Sequence, residues 1–257
     1  MNDWLVLIIA ATAGSLVSFI GGLYLLFGTW GVKKLQTYSV PFAAGALLAA
    51  AFFDLLPEAI DSTKNDPQTA LTMTLVGFLF FFILERSLSW FHHHHEEKKS
   101  EHVFGRRNAG LIVIGDTIHN FIDGLAIGAA FLANPATGIV TTLAIAAHEI
   151  PQEIGDFGLL LAKNLKRGHV LAINVMIAIV TILGASFVYG FGGALHLPET
   201  FLLGTTAGFF IYIAASDIIP TIHAMPSRRM ANIQTLVLII GVIVVAYSIE
   251  LAERFIG

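Results

Sequence analysis

Eight apolar runs, a one-sided distribution of basic residues and a matched pair of aspartate-proline motifs predict an all-α membrane protein. Together they describe a bundle of eight transmembrane helices in a 3+2+3 inverted repeat. Of the 257 residues, 56% are hydrophobic and 12% charged, and the mean hydropathy of +0.77 exceeds what a water-soluble domain carries. The runs are Trp4–Phe27, Pro41–Ile60, Ala70–Trp90, Ala109–Leu132, Gly138–Ala162, Val170–Leu195, Phe201–Ile222 and Ile233–Leu251. Each is about the length a helix needs to cross hydrocarbon, and each is continuous rather than alternating, which excludes a membrane β-barrel. The linkers are short, so residues 1–257 read as one transmembrane domain.

The first run lacks a basic region before it and reads as a retained span rather than a cleaved leader. With eight spans and both termini on one side, Lys33, Lys34, Arg86, Lys98, Lys99, Arg106, Arg107, Lys163, Lys166, Arg167, Arg228 and Arg229 share one face. Lys64 and Arg254 lie opposite. The positive-inside rule makes the crowded face cytoplasmic and both termini extracytoplasmic, as in a multi-pass protein of the cell membrane. No cysteine is present, so disulfides and thiolate metal sites are excluded.

The second run, "AGALLAAAFFDLLP", and the seventh, "AGFFIYIAASDIIP", share Ala-Gly, eight residues, an aspartate, two residues and a proline. Asp54 and Asp217 therefore sit in identical settings on spans that cross in opposite senses, the mark of an inverted repeat. Between spans three and four, at about 91–107, runs "HHHHEEKKSEHVFGRR", a solvated linker. Its His92, His93, His94, His95 and His102 could additionally capture metal loosely.

Polar residues inside spans cost free energy unless they pair, meet water or bind something. In the fourth span, His119 and Asp123 stack one turn apart, with Asn120 about 100° around the helix. In the fifth, "HEIPQEIGDFG" places His148 over Gln152 and aligns Glu149, Glu153 and Asp156 in an acidic stripe. Neither span offers a lysine or arginine near these groups, so internal salt bridging is excluded and a cation is the missing partner. Mixed imidazole and carboxylate donors suit zinc and other first-row divalent ions, whereas oxygen donors alone would suit magnesium or calcium. Pro57, Pro151 and Pro220 each follow a polar residue (Asp54, His148, Asp217) by three positions. Each proline removes a helical hydrogen bond, freeing the carbonyls of Phe53, Ala147 and Ser216 beside the polar groups.

These stretches, "FAAGALLAAAFFDLLPEA", "HNFIDGLAIGAAF", "HEIPQEIGDF" and "SDIIP", resemble the Zrt/Irt-like (ZIP) metal transporters of the LIV-1 type over nearly the whole chain. The resemblance implies eight spans, outside termini, a His-rich cytoplasmic loop and a metal site between spans four and five. It implies that His119, Asp123, His148 and Glu149 bind the transported ion, and that Asn120 contributes to an adjacent second site. The LIV-1 pattern is His-Glu-x-Pro-His-Glu. Here Gln152 stands for the second histidine, which weakens or removes that ligand, while Glu153 matches the final glutamate. Asp54 and Asp217 resemble residues near the family's entry and exit routes, and Asn174 faces the site from the sixth span.

The expected function is secondary transport of zinc toward the cytoplasm, with iron, manganese and cadmium as further candidates. No organic cofactor, no nucleic-acid partner and no enzymatic activity are expected, and the family implies a homodimer in the lipid bilayer. An intramembrane zinc metalloprotease is the alternative, because "HEIPQ" nearly spells His-Glu-x-x-His. The missing second histidine and Pro151 inside the motif count against it.

Overall fold

A computed structural model describes residues 3–27, 32–63, 67–93, 104–162, 165–192, 194, 196–224 and 227–255. They form eight helical rods: α1 (Asp3–Phe27), α2 (Val32–Ala50) continuing into α3 (Leu56–Asp61), α4 (Pro67–His93), α5 (Phe104–Ala133), α6 (Pro135–Ala162), α7 (Arg167–Phe191), α8 (Glu199–Ile213) continuing into α9 (Ile219–His223), and α10 (Arg228–Phe255). The protein is an all-α polytopic membrane protein. Six rods are long and apolar enough to cross a membrane; the other two, α5 and α6, carry the histidines and acids singled out above.

Most helices extend beyond the apolar runs, because hydropathy marks only the part that meets hydrocarbon. Pro67 and Pro135 open α4 and α6 at the position where a missing N–H costs least. The expected linker at 91–107 is shorter, since α4 continues through His93 and α5 begins at Phe104. His94, His95 and His102 lie outside the described residues, as do the side chains of His92 and His93. The sixth run was expected to reach Leu195. Instead α7 ends at Phe191, and the chain turns through His196, whose φ of 51° is left-handed, into Pro198 and α8.

At the two matched aspartate-proline motifs the rods do not simply kink. Residues Ala51–Leu55 and Ala214–Ile218 form π turns, in which the N–H of Leu56 bonds Ala51 O and that of Ile219 bonds Ala214 O, five residues back. A π turn absorbs the hydrogen bond that proline cannot donate while keeping the rod continuous. Asp54 and Asp217 are each the fourth residue of their turn. Pro151, by contrast, sits inside an α-helix that continues to Ala162.

The packing follows the same symmetry. The turn at Ala51–Leu55 rests on α8 and the turn at Ala214–Ile218 on α2, so the two rods run antiparallel. An added Cβ on Gly45 would collide with Leu238 O and one on Gly241 with Phe42 O; likewise Gly208 meets Thr74 O and Gly77 meets Thr205 O. In all four cases the carbonyl lies three residues before the facing glycine. The α2·α10 and α8·α4 interfaces are thus two copies of one glycine-to-glycine crossing, the close approach that membrane helices use in place of hydrophobic collapse. The remaining rods pair correspondingly, α1 with α6 and α7 with α5.

Two bundles of four rods result. One contains α1, α5, α6 and α7; the other contains α2–α3, α4, α8–α9 and α10. They meet chiefly where α6 lies against α2 and α10.

Candidate metal centre

The site is built by the α5–α6 hairpin, whose two helices are joined by the single residue Asn134. His119 precedes that residue by 15 positions and His148 follows it by 14. At 1.5 Å per residue both imidazoles lie about 21–23 Å from the turn, side by side and deep within the rods. Asp123 stacks one turn from His119, and Glu149 is adjacent to His148.

The donor atoms converge. His119 Nε2 lies 3.3 Å from His148 Nε2, 3.7 Å from Asp123 Oδ2 and 3.9 Å from Glu149 Oε1. His148 Nε2 lies 3.4 Å from Asp123 Oδ2 and 3.6 Å from Glu149 Oε1. All four donors fall within 4.8 Å of one another. Zinc bonds of about 2.0–2.2 Å in a tetrahedron require edges of roughly 3.3–3.6 Å, and the five edges that involve an imidazole are within a few tenths of an ångström of that range. The residues present fit that ion.

Electrostatics points the same way. Asp123, His148 and Glu149 are buried, and neither Asp123 Oδ2 nor Glu149 Oε1 has a hydrogen-bond partner. Among the described residues, these acids face imidazoles and no lysine or arginine. An ionised side chain at mid-membrane costs about 3 kcal/mol even on insertion scales, and two in contact cost more unless a cation neutralises them. His119 is the most open of the four, its side chain 17% exposed. Phe81 of α4 meets its ring edge-on, with centroids 5.8 Å apart.

Other sequence-predicted residues are placed differently. Asn120 and Gln152 do not join the four donors; both donate to Asp116 Oδ1, at 3.0 and 3.3 Å. Asn120 Oδ1 accepts from Thr181 Oγ1 of α7 at 2.9 Å. Glu153 is buried one turn beyond Glu149, with Oε2 unpartnered, and Asp156 is half-buried a turn further. Asn174 is fully buried but donates back to Val170 O on its own helix. Asp54 is buried in the other bundle and accepts from Thr137 Oγ1 at 3.0 Å. The side chain of Asp217 lies outside the described residues.

Asp116 is the residue that motif reading overlooked. It ties α5 to α6 through Gln152 and, through Asn120 and Thr181, to α7. It is also the common electrostatic neighbour of Glu149, Glu153 and Asp156. Its spacing was the signal: 116, 119, 120 and 123 follow i, i+3, i+4, i+7 and share one helical face. Asp116 bonds none of the four donors, but it is a charged neighbour of Glu149 and braces the helices that carry them, and outer groups of a metal site are typically worth about 10–100-fold in affinity. Asp116→Ala should therefore weaken zinc binding by about 10–100-fold in a titration of the purified protein, and an unchanged affinity would remove it from the site. Glu85 of α4 was overlooked as well; its Oε2 is buried without a partner, and it is an electrostatic neighbour of His119.

A buried imidazole-carboxylate cluster inside a polytopic helical bundle has the donor set of a divalent-metal site. The model of the ZIP zinc transporters matches residues 4–110 and 92–248, and the chain belongs to that family. It is 31% identical to zinc transporter ZIP13 of Pongo abelii over 231 residues, 84% of this chain and 66% of that protein. It is 39% identical to zinc transporter foi of Drosophila melanogaster over 116 residues, 45% of this chain and 16% of that one. With Homo sapiens zinc transporter ZIP4 it shares 38% over 119 residues, 46% of this chain and 18% of the relative. The chain thus spans less than two thirds of the length of each.

Proposed function

We propose that this protein carries zinc across the membrane toward the cytoplasm, with iron, manganese and cadmium as competing substrates, through the His119–Asp123–His148–Glu149 cluster. The observation that carries the reading is the convergence of two imidazole nitrogens and two carboxylate oxygens within 4.8 Å of one another in a buried setting, each imidazole 3.3 to 3.9 Å from the other three donors. A hydrated divalent ion entering the bundle sheds water, and these four groups replace it where lipid offers nothing. The donors come from one hairpin of one bundle, so the ion can stay held while that bundle exposes it first to one side and then to the other. Glu153 and Asp156 continue the acidic line along α6 toward the basic face that charge placement assigns to the cytoplasm. The protease reading requires a third protein ligand at position 152. Gln152 supplies no imidazole, and its amide is engaged by Asp116.

Zinc uptake into proteoliposomes tests the proposal. Binding requires neutral imidazoles and ionised carboxylates, so protons compete with zinc. Uptake should be saturable at neutral pH and fall several-fold as the medium is acidified, because protons take the lone pairs that the ion needs. Absence of saturable uptake at any pH would overturn the reading.

A further inference from the structure

The two bundles are tied by polar contacts at the end of the molecule that holds the α5–α6 turn. Thr137 Oγ1 donates to Asp54 Oδ1 at 3.0 Å, and Asn134 Nδ2 donates to Glu58 Oε1 at 3.1 Å. The pairs lie one turn apart on each side, as Asp54 and Glu58 are spaced i, i+4 and Asn134 and Thr137 i, i+3. Asn134 uses its whole amide. Its Oδ1 caps α6 by accepting from Thr137 N at 2.8 Å, while its Nδ2 reaches across to Glu58. The receiving side is anchored in turn: Ser62, just beyond α3, bonds Thr200 of α8 at 2.6 Å, and Thr200 also donates to Ala59 O at 3.3 Å.

Elsewhere α2 meets α6, and the buried residues of α2 are apolar and mostly small, with Ala43, Ala44, Ala46, Ala49 and Ala50 beside the larger Leu47. Such a surface packs closely but has no directional bonds, so it resists sliding little. The hydrogen bonds at the turn are directional and lie about 20 Å along the hairpin from the metal donors. They hold position without touching the ion.

The geometry points to a latch: Asn134 and Thr137 on one bundle grip Glu58 and Asp54 on the other, keep this end closed, and must release each time the metal centre opens toward it. The inference rests on the transport reading above, since a static protein would need no release. The hydrogen bonds break and re-form with no covalent change. Loosening them shifts the balance between the two exposures of the site; locking them stops the cycle.

The chain lacks cysteine, which makes two tests direct. In full-length protein reconstituted in liposomes, a Glu58→Cys, Asn134→Cys pair cross-linked across the latch should transport zinc at less than a tenth of its reduced rate, and reductant should restore the rate. With a single reporter, Ala136→Cys, buried on the first turn of α6, adding Thr137→Val should speed labelling by a membrane-impermeant maleimide several-fold. Undiminished transport by the cross-linked protein, or unchanged labelling, overturns the latch. If the reduced pair and the wild type both fail to take up zinc, the transport reading itself is at fault.

Discussion

Zinc uptake by Asp123→Ala or His148→Ala falls to the rate of empty vesicles, a loss of about 100-fold or more. Each substitution removes one of four converging donors, and even an outer partner of a metal ligand is worth 10–100-fold in affinity. For Asp123→Ala the loss is not a failure to fold. Asp123 Oδ2 is buried without a hydrogen bond and faces Glu149 across the cluster, so removing it deletes an unneutralised charge from the membrane interior. Zinc should therefore raise the melting temperature of the wild type by stabilising the native state through binding, and leave that of either variant unmoved. Melting curves with and without zinc separate a lost site from a lost fold. If a variant retained saturable uptake, the ligand assignment would be wrong.

Gly208→Val lowers the stability of the purified protein by about 3 kcal/mol or more, the upper range for overpacking. The space taken by an added Cβ already belongs to backbone, Thr74 O and Phe78 N. Backbone cannot rotate away as a side chain can, so α4 and α8 must separate along their length. The crossing at Gly45 and Gly241 is its counterpart, and Gly45→Val should do comparable damage. Gly168→Ala, where an added Cβ meets nothing within 4 Å, serves as the control and should stay within about 0.5 kcal/mol of wild type. Thermal unfolding in detergent measures all three. Equal midpoints would show that the paired glycines do not set helix spacing.

Much of this architecture could be read from residue order because the bilayer imposes a single period and a single length. The helical rods and their number follow from hydropathy and counting. The inverted repeat was legible in two aspartates because ionisable residues are rare enough in spans to act as markers. Gly45 and Gly208 belong to that matched motif, but their partners Gly241 and Gly77 drew no notice, since glycine is common in membrane helices and only the facing carbonyl reveals its use. The π turns were invisible for a similar reason: proline predicts a missing hydrogen bond but not whether the helix kinks or widens around it.

The cluster shows the same division. Helical spacing places His119 with Asp123 and sets Glu149 beside His148, yet it cannot say how two helices stagger. That depends on the single-residue turn at Asn134, which brings positions 119 and 148 to one depth. Gln152 shares a face with His148, and Asn120 with Asp116 and Asp123, so a spacing argument includes them. Three-dimensional placement turns both toward Asp116, because an amide next to a carboxylate finds a better acceptor there than among donors that already face one another. Asp116 escaped notice because the network it anchors runs through Asn120 and Gln152 to α6 and α7, and no motif spans those helices.

X-ray absorption at the zinc edge on the purified, zinc-loaded protein tests the central claim most directly. The predicted result is a four-coordinate shell at about 2.0–2.1 Å showing the outer scattering of two imidazole rings, reduced to one ring in His119→Ala. A six-coordinate shell of oxygen atoms without imidazole scattering would contradict it.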